Sequence, residues 1–346
     1  MKILSWNCRG LGNPRTVQNL LLLVKDKTPN LVFLMETKLV ASKVEGIKRR
    51  LGWEGCFVVD PMGRKGGLAL LWCKEKEVEI LNYSQHHINA MVRSEEKKML
   101  WLLSGFYGHP MVSKRENTWD LLSLLNSDCE MPWCVIGDFN EILCQSEKMG
   151  GRPRPETQMV DFRKALDDNR LFDLGWKGNK YAWSNKHMDS TFTKERLDRA
   201  VANLKWSETF CDRVLETLNV VQSDHMALML DLRQQYLVNR KRRRVFRFEA
   251  KWIRDEEGAG VVERAWRRAD ADPNPIRNIQ RKLNGCKGDL IRWGNSKDKE
   301  VIVLLKQKTE RLKREQESEG PHNAELIRKL QEEMGTLLGQ EDLKWL

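Results

Sequence analysis

The sequence of 346 residues lacks several features that would assign it to a common protein class. It has no run of 18 apolar residues, so a membrane-spanning helix is excluded. Its first residues contain no long apolar segment followed by small residues, which argues against a secretory signal. Its eight cysteines form no Cys-x-x-Cys pair, so zinc ribbons and disulfide frameworks are unfavoured. We therefore expect reduced cysteines in the core of a nuclear or cytoplasmic protein.

Two further binding signatures are missing. Arg64-Lys65-Gly66-Gly67 is glycine-rich and basic, but the complete pattern Gly-x-x-x-x-Gly-Lys-[Ser/Thr] is absent, so a nucleotide-binding P-loop is not supported. His86, His87 and His109 have no companions at metal-ligand spacing. We interpret these three histidines as structural or surface residues.

Positive charge is present in excess. The 60 Lys and Arg against 49 Asp and Glu give a net charge of +11, which favours a polyanionic partner. Residues 236–346 hold 26 basic and 19 acidic side chains, so this smaller part carries +7 of the excess. The run Asn239–Arg244 predicts a basic linker over residues 236–250. It is interpreted equally well as a solvated tether or nuclear-import patch and as an arm that contacts nucleic acid.

Short apolar runs alternate with turn signals and helical stretches over residues 1–235, which we predict to form one domain. The predicted strands are Ile3–Asn7, Leu31–Glu36, Leu68–Cys73, Val78–Leu81, Ala90–Arg93, Leu100–Tyr107, Cys134–Asp138, Tyr181–Ser184, Leu197–Val201 and Ala227–Leu232. The predicted helices are Thr16–Asp26, Val40–Leu51, Ser113–Asn126 and Glu156–Asn169. The hairpin-like spacing between residues 68 and 107 indicates antiparallel neighbours. A layered α/β sandwich fits better than a doubly wound parallel sheet.

Residues 251–346 have a different pattern, with apolar residues at helical spacing in long polar stretches. One apolar stripe includes Leu305 and Leu312, another includes Leu330 and Met334, and Gly320-Pro321 divides them. This pattern predicts an all-helical C-terminal extension, either a helical hairpin or a coiled-coil-like segment.

Polar residues stand where the predicted strands of the first domain end. Individually, such residues are explained equally well as turn formers or surface charges. Their chemistry is nevertheless consistent, because carboxylate and amide oxygens suit Mg²⁺ or Mn²⁺. A histidine paired with a carboxylate can stabilise charge on a phosphoryl oxygen. The set predicts metal-assisted phosphodiester hydrolysis and consists of Asn7, Glu36, Asp138, Asn140, Asp198, Asp224 and His225.

Six ordered motifs in residues 1–233 resemble those of the endonuclease/exonuclease/phosphatase superfamily. They are Ser5-Trp6-Asn7-x-x-Gly10, Leu34-Met35-Glu36-Thr37, Gly105-Phe106-Tyr107-Gly108, Gly137-Asp138-Phe139-Asn140, Arg196-Leu197-Asp198-Arg199 and Ser223-Asp224-His225. More narrowly, four segments are similar to the endonuclease of plant-type non-LTR (LINE) retrotransposons, namely Trp6–Gly12, Gly66–Trp72, Gly150–Arg152 and Glu195–Ala200. The resemblance implies a four-layered α/β sandwich, in which two mixed sheets are flanked by helices.

The resemblance also implies roles for the residues at the metal and at the attacking water. Glu36 would be the principal metal ligand, Asn7 would help to hold the metal or a phosphate oxygen, and Asp224 would stand near the metal. Asp138 would be the base that activates water. Asn140 would position the water or the phosphate.

Other residues would act on the substrate. Tyr107 would contact the scissile phosphate or stabilise the leaving oxygen, and His225, oriented by Asp198, would contact a non-bridging phosphate oxygen. Some abasic-site nucleases of the superfamily have a carboxylate two positions after the first-motif Asn, where this chain has Arg9. This difference weakens the case for a two-metal site and for strong abasic-site activity. We expect Arg9 and the loop residue Arg152 to bind substrate, although each also fits a plain surface position.

The implied function is that of a metal-dependent endonuclease that nicks DNA and leaves a 3′-hydroxyl able to prime reverse transcription. Tyr-x-Asp-Asp is absent, so polymerisation lies outside this chain, and residues 236–346 resemble the connector before a polymerase. One alternative is a phosphatase of the same superfamily that acts on a small phosphorylated substrate. A second alternative is an inactive remnant that only binds nucleic acid. The oligomeric state stays open.

Overall fold

The computed structural model describes residues 1–74, 77–94, 98–126, 131–220, 223–232, 252, 256–268, 275–317, 320 and 322–342. Among these, residues within 1–235 and 315–328 form one compact unit, and residues within 236–314 and 329–346 form another. The predicted basic linker over residues 236–250 lies outside the described residues. No described helix is both long and apolar enough to cross a membrane.

The first unit is rich in strands. They are β1 (Lys2–Asn7), β2 (Leu31–Met35), β3 (Gly55–Val59), β4 (Leu68–Trp72), β5 (Val78–Ser84), β6 (His87–Ser94), β7 (Met99–Tyr107), β8 (Trp133–Asp138), β9 (Lys148–Met149), β10 (Phe172–Asp173), β11 (Trp183–Ser184), β12 (Lys194–Glu195), β13 (Asp198–Ala202), β14 (Val214–Leu218) and β15 (Ala227–Asp231). Its helices are α1 (Pro14–Lys27), α2 (Ala41–Leu51), α3 (Arg115–Asn126), α4 (Glu156–Asp168) and α5 (Leu204–Thr209).

Two six-stranded mixed sheets form the centre of this unit. The first has the order β14-β15-β1-β2-β4-β3, and the second has the order β10-β13-β8-β7-β6-β5. Each contains one parallel pair, β1 with β2 and β7 with β8, while the other neighbours are antiparallel. The hairpins β5–β6–β7 confirm the predicted antiparallel spacing for residues 78 to 107, whereas β4, at residues 68 to 72, belongs to the other sheet. A small third sheet joins β11, β12 and β9.

Three apolar layers hold the sheets and helices together. The layer between the sheets takes Phe33 and Leu230 from one sheet and Trp101 and Ile136 from the other. A second layer covers the outer face of the first sheet with α1 and α2. A third packs α3 and α4 on the second sheet, where the Trp119 ring stacks on that of Phe162. The predicted four-layered α/β sandwich, with helices outside two mixed sheets, is confirmed.

Local sequence explains where the first helix begins and ends. Asn13 accepts a hydrogen bond from the backbone N–H of Arg15, and Pro14 provides the first helical residue. Thr28 ends the helix in the left-handed conformation with φ 49°. The four predicted helices all occur, with ends shifted by at most two residues. Five strands, β3, β9, β10, β12 and β14, were absent from the prediction.

The predicted helical extension is confirmed in the described residues. Its helices are α6 (Glu256–Arg268), α7 (Pro275–Glu317) and α8 (Ala324–Asp342), so Gly320 lies between the last two, as its sequence pattern indicates. The prediction of core cysteines is correct for Cys8, Cys134 and Cys286 but wrong for Cys144 and Cys211, which are exposed. The described cysteines are unpaired.

Candidate active site

One end of the two sheets collects the polar residues of the six motifs. Asn7 ends β1, and Glu36 follows β2, so the parallel pair places these side chains at the same edge. Tyr107 and Asp138 end the parallel pair β7 and β8 and face each other in the strand register. Because β13 runs antiparallel to β8, Asp198 at its start pairs with Asp138. The two sheets therefore bring residues from five motifs to one place.

A tight backbone approach explains the glycine before Asp138. Gly137 has φ 155°, and a side-chain carbon there would lie 1.9 Å from the carbonyl oxygen of Phe106. Only glycine fits this part of β8 without moving the neighbouring strand. The Asp138 backbone N–H then donates to Met35 Sδ at 3.3 Å, which links the second sheet to the first.

Glu36 lies at the mouth of the site in a left-handed backbone conformation with φ 50°. Its Oε1 accepts hydrogen bonds from the Tyr107 hydroxyl at 3.0 Å and from Asn7 Nδ2 at 3.3 Å. Its Oε2 faces two cations, Lys38 at 3.6 Å and Arg9 at 3.8 Å. The carboxylate is thus held by neutral donors on one oxygen and screened only by cations on the other.

Asn7 faces the carboxylates with its NH₂ group. Nδ2 also donates to Asp138 Oδ2 at 3.0 Å, while Oδ1 accepts from the Arg9 backbone N–H at 3.3 Å. An oxygen ligand at this position requires rotation of the amide about its last side-chain bond, since amide oxygen and nitrogen differ by such a flip. The residue is therefore at the site, oriented as a donor that joins Glu36 to Asp138.

Asp138, Asp198 and His225 form a buried row. His225 Nδ1 lies 2.7 Å from Asp198 Oδ2, and His225 Nε2 lies 3.8 Å from Asp138 Oδ2. The first distance is a charge-assisted hydrogen bond, whereas the second is longer than a hydrogen bond. Ser223 supports the row, because its Oγ accepts from the His225 backbone N–H at 3.1 Å and donates to the Asn7 carbonyl at 2.8 Å.

Burial and neighbouring charges shift the pKa values of the ionisable groups in the site. Burial alone would lower the pKa of His225, but the carboxylates of Asp198, Asp138 and Asp224 raise it to about 9. Burial raises the pKa of Asp198 to about 7, although His225 opposes this rise. Burial also raises the pKa of the Tyr107 phenol, and Glu36 adds to that rise, so Tyr107 is a neutral donor. At neutral pH the row holds an imidazolium beside carboxylate oxygens.

Asn140 adopts a left-handed conformation with φ 56° directly after the strand. Its backbone N–H donates to Asp138 Oδ1 at 2.9 Å, and its Nδ2 donates to the Gly108 carbonyl at 2.8 Å. A side chain on Gly108 would meet the Phe139 carbonyl at 2.2 Å, so this loop and the end of β7 are closely packed. The loop thereby fixes one oxygen of Asp138.

Asp224 closes the other side of the site. Its Oδ2 accepts from the Trp183 indole N–H at 3.0 Å and lies 3.3 Å from Arg9 Nη1. Burial opposes ionisation of Asp224, but His225, Arg9 and Trp183 together lower its pKa. The site therefore brings together the sequence-predicted residues except Arg152, which is exposed on the loop after β9.

Three residues that contact the site were not assigned to it from the sequence. Trp183 lies in the predicted strand Tyr181–Ser184, Ser223 belongs to the sixth motif without a role of its own, and Lys38 belongs to no motif. Lys38 stands two positions after Glu36, as Arg9 stands two positions after Asn7, and both have positive φ. A basic residue two positions after Asn7 and after Glu36 is therefore the sequence signal that could have predicted these contacts.

The donor set at this edge fits a hard divalent cation. Glu36 and Asp224 offer carboxylate oxygens on opposite sides of Arg9, and Asn7 can add an amide oxygen after rotation. Separately, Asp138, Asp198 and His225 have ligand-type atoms within 4.8 Å of one another, although His225 Nδ1 is already bonded to Asp198. The Glu36 end is therefore the better place for a metal ion.

Comparison with known proteins identifies the fold. A 3′-5′ exonuclease (NExo) from Neisseria meningitidis has 16% identity and a TM-score of 0.53 over 67% of this chain and 99% of its own. An AP endonuclease from Archaeoglobus fulgidus has 14% identity and a TM-score of 0.52 over 67% and 98%. The endonuclease domain of TRAS1, a telomere-specific non-LTR retrotransposon, has 12% identity and a TM-score of 0.49 over 68% and 99%. No curated protein matches the sequence.

A family model provides the decisive match. The model of the endonuclease/exonuclease/phosphatase family matches residues 4–225, which include every strand from β2 to β14 and the residues of all six motifs. This span is more than half of the chain. Members of this family are phosphodiester hydrolases, and their typical use of divalent metals agrees with the oxygen donors at the Glu36 end of the site. The chain belongs to the endonuclease/exonuclease/phosphatase family.

Proposed function

We propose that this protein is a metal-dependent endonuclease that nicks DNA by activated-water attack, in the manner of a non-LTR retrotransposon endonuclease. The single observation that carries the proposal is the buried row of Asp138, His225 and Asp198 beside the carboxylate of Glu36. This arrangement combines a base, a cationic donor and a cation site within one edge of the sandwich.

Glu36 and Asp224 would hold Mg²⁺ or Mn²⁺, with Asn7 as an additional ligand. When bound, the ion would act as a Lewis acid that polarises a phosphoryl oxygen. The protein itself contributes the orientation of Glu36. The hydroxyl of Tyr107 and the amide of Asn7 both bind Oε1, and Oε2 is left to face the cation side.

Asp138 would accept the proton of the attacking water. One of its oxygens is bonded to the Asn140 backbone N–H, and the other receives Asn7 Nδ2 and faces His225. This fixed orientation reduces the entropy cost of placing a water molecule for attack. Asn140 would accept a hydrogen bond from that water through its amide oxygen, or donate to a phosphate oxygen through the second N–H of Nδ2, because the first is bound to the Gly108 carbonyl.

His225 would donate a hydrogen bond from Nε2 to a non-bridging phosphate oxygen, because the 3.8 Å from Nε2 to Asp138 Oδ2 is too long for a hydrogen bond between those two residues. Asp198 holds the opposite ring nitrogen at 2.7 Å and keeps the ring in the required orientation. In the substrate complex the single O–H of Tyr107, a neutral phenol, would turn from Glu36 Oε1 and donate to the leaving oxygen. Preorganised donors of this kind are worth about 3 kcal/mol each in a transition state.

DNA is the favoured substrate for two reasons. The net charge of +11 suits a polyanion, and binding through Lys and Arg should weaken steeply with salt. The motifs also resemble plant-type LINE endonucleases, and a related Neisseria protein has been solved bound to a product DNA hairpin. Arg9 at the mouth of the site and Arg152 on its exposed loop would contact the phosphate backbone.

Nicking of supercoiled plasmid tests this proposal. With Mg²⁺ or Mn²⁺ we expect nicked circles with 3′-hydroxyl ends, extendable by a polymerase, and no product in EDTA. Glu36→Gln and Asp138→Asn should abolish nicking without loss of the folded state measured by circular dichroism. Release of inorganic phosphate from small phosphorylated substrates without nicking would instead indicate the phosphatase. A DNA mobility shift with neither activity would indicate the nucleic-acid-binding remnant.

A further inference from the structure

The end of helix α7 packs against the unit that carries the candidate active site. Residues 315–328 belong to that compact unit, although the family match ends at residue 225. Gln316, in the last turn of α7, is only 5% exposed. Its carbonyl accepts hydrogen bonds from Lys194 Nζ at 3.1 Å and from Asn179 Nδ2 at 3.3 Å. The segment is thus a part of the unit that the family match does not include.

Lys194 caps the C-terminal end of α7. The last four carbonyl groups of a helix have no partner within it and lie at the negative end of the helix dipole, so they favour a cation. Lys194 is 2% exposed, and its Nζ lies 5.8 Å from the ring centres of both Tyr181 and Phe192. A buried ammonium group is costly unless its surroundings compensate the charge. The carbonyl of Gln316 and the two aromatic rings provide such compensation.

The strand that carries Lys194 leads directly to the active site. Lys194 and Ser184 are partners in the register of β12 and β11, and Trp183 precedes Ser184 on β11. The Ser184 backbone N–H donates to the Asp224 carbonyl at 3.1 Å. The Trp183 indole N–H donates to Asp224 Oδ2 at 3.0 Å, and Trp183 forms an antiparallel bridge with His225. β11 therefore connects the end of α7 with two residues of the candidate site.

Gln316 also borders the site itself. It lines a small pocket together with Trp183, Asp224 and His225. Protein interiors are closely packed, so a displaced side chain moves its neighbours. A shift of the end of α7 should therefore change the position of the Asp224 carboxylate.

Asn323 holds the turn that follows α7. Its Oδ1 accepts from the Gly320 backbone N–H at 2.9 Å, and its Nδ2 donates to the carbonyl and to Oε2 of Glu315, each at 3.1 Å. The Asn323 side chain thus closes the turn onto the end of α7. The position of Gln316 depends on Lys194 from one side and on this turn from the other.

We infer that Lys194 and the end of α7 position Trp183 and Asp224, so that the working site is built from two separate stretches of the chain. Lys194 is a positioning residue, because it acts through β11. The effect on nicking rests on the proposed function, whereas the docking of residues 315–328 does not. Release of the α7 end should displace Asp224 and slow nicking.

Nuclear magnetic resonance of the full-length protein tests the positioning without catalysis. Lys194→Met removes the ammonium group and keeps an apolar side chain in its place. The Trp183 indole N–H resonance, assigned by its loss in Trp183→Phe, should shift in Lys194→Met because its bond to Asp224 is disturbed. Amide exchange of residues 315–328 should quicken roughly 10-fold to 100-fold, the factor expected for loss of a hydrogen bond from a charged group.

Asn323→Ala repeats the test from the other side, because it loosens the turn without replacing a residue of the family-matched region. It should shift the same indole resonance. Lys180→Met is the matched control, since Lys180 Nζ also donates to a backbone carbonyl, that of Ser146 at 2.7 Å, and also faces an aromatic ring. This control should change neither the resonance of Trp183 nor the amide exchange of the segment.

Plasmid nicking supplies the second readout. In Lys194→Met and Asn323→Ala, kcat per folded molecule should fall on the order of tenfold, because a displaced carboxylate lowers turnover. KM for plasmid should stay unchanged, since both side chains are buried and do not bind DNA. Lys180→Met should keep both constants.

The possible outcomes separate this inference from the proposed function. Folded Lys194→Met and Asn323→Ala proteins that keep the Trp183 resonance and kcat would overturn the positioning role and leave the nuclease intact. If Lys194→Met does not fold, the result for Asn323→Ala decides. Absence of nicking by the natural protein, with the resonance shifted in both variants, would overturn the proposed function and support the positioning.

Discussion

Strand β13 carries two buried charged clusters that differ in their charge balance. Asp198 faces His225 and Asp138, whereas the next residue, Arg199, points to the opposite face of the sheet. There Arg199 binds Glu147 at 2.7 Å and Asp173 at 2.9 Å. Arg196 binds the same two carboxylates, at 2.8 and 2.7 Å, so two cations meet two anions.

This balance separates a structural cluster from a candidate active site. Although burial opposes ionisation of Glu147, its pairing with Arg199 lowers the pKa of the carboxyl. In the other cluster, burial raises the pKa of Asp198 and the carboxylates of Asp138 and Asp224 add to the rise, although His225 opposes it. A buried charge that is already paired has little left to offer a ligand. An excess of carboxylates at a sheet edge retains capacity for a metal ion and a phosphate.

Asp138→Asn removes a carboxylate from the cluster of Asp138, Asp198 and His225 and should have the largest effect on activity. It removes the proposed base while keeping the shape of the side chain, and we expect kcat for plasmid nicking to fall by about 10³-fold. The free energy of unfolding should stay equal or rise, since one of several like charges is lost. An active Asp138→Asn protein would remove Asp138 from the proposed mechanism.

Glu147→Gln removes one negative charge from the cluster of Arg196, Arg199, Glu147 and Asp173. It should lower the stability of the fold and leave activity in place. Two buried guanidinium groups lose a shared partner, so the free energy of unfolding measured in urea should fall by about 3–5 kcal/mol. Activity per folded molecule should persist. The matched control is Glu156→Gln, which removes an exposed partner of Arg163 and should cost roughly 0–1 kcal/mol. Equal losses in both variants would contradict the assigned difference.

The pH dependence of nicking tests the charge state of His225. The pKa of His225 rises from 6.5 to about 9 in the folded protein, so its proton contributes stability below about pH 6.5 that disappears as pH rises through 9. Nicking that needs the imidazolium should therefore decline above pH 9. Asp198→Asn should move this alkaline limb down towards pH 6.5. A limb that stays at its original position would indicate that another group titrates there.

Tyr107→Phe should have the smallest effect of the four. It deletes the hydroxyl that donates to Glu36 Oε1 at 3.0 Å but leaves the ring in place. A hydrogen bond to a charged group contributes about 1.5–3 kcal/mol, which corresponds to a decrease in kcat of roughly 10-fold to 100-fold. Steady-state nicking rates measure the change. Loss comparable to that of Asp138→Asn would mean that Tyr107 takes part directly in proton transfer.

Most of the fold could be predicted from the sequence, because the strands that matter are continuous apolar runs. β1, β2 and β8 are almost wholly buried and end at polar motif residues, so their boundaries were visible. β14 was missed because Val214–Leu218 interleaves Glu216 and Thr217 with its apolar residues and is only partly buried. β3 begins at Gly55 and is short, which gives a weak local signal.

The candidate site could be predicted only in part, since side-chain direction depends on tertiary contacts. The motifs placed Glu36 and Asp138 at strand ends, but the sequence could not show that Asn7 turns its NH₂ group towards them. Nor could it show that Trp183, distant in sequence, donates its indole N–H to Asp224. Such contacts arise from the packing of β11 beside the segment before β15, which no local pattern encodes.

Four non-glycine residues at this edge share the left-handed backbone conformation, namely Arg9, Glu36, Lys38 and Asn140. Each costs on the order of 1 kcal/mol compared with an ordinary conformation. Robustness to heat and catalytic ability are therefore set against each other here. Replacing Lys38 by glycine would relax one of these bends, and a more heat-resistant but less capable protein is the expected result.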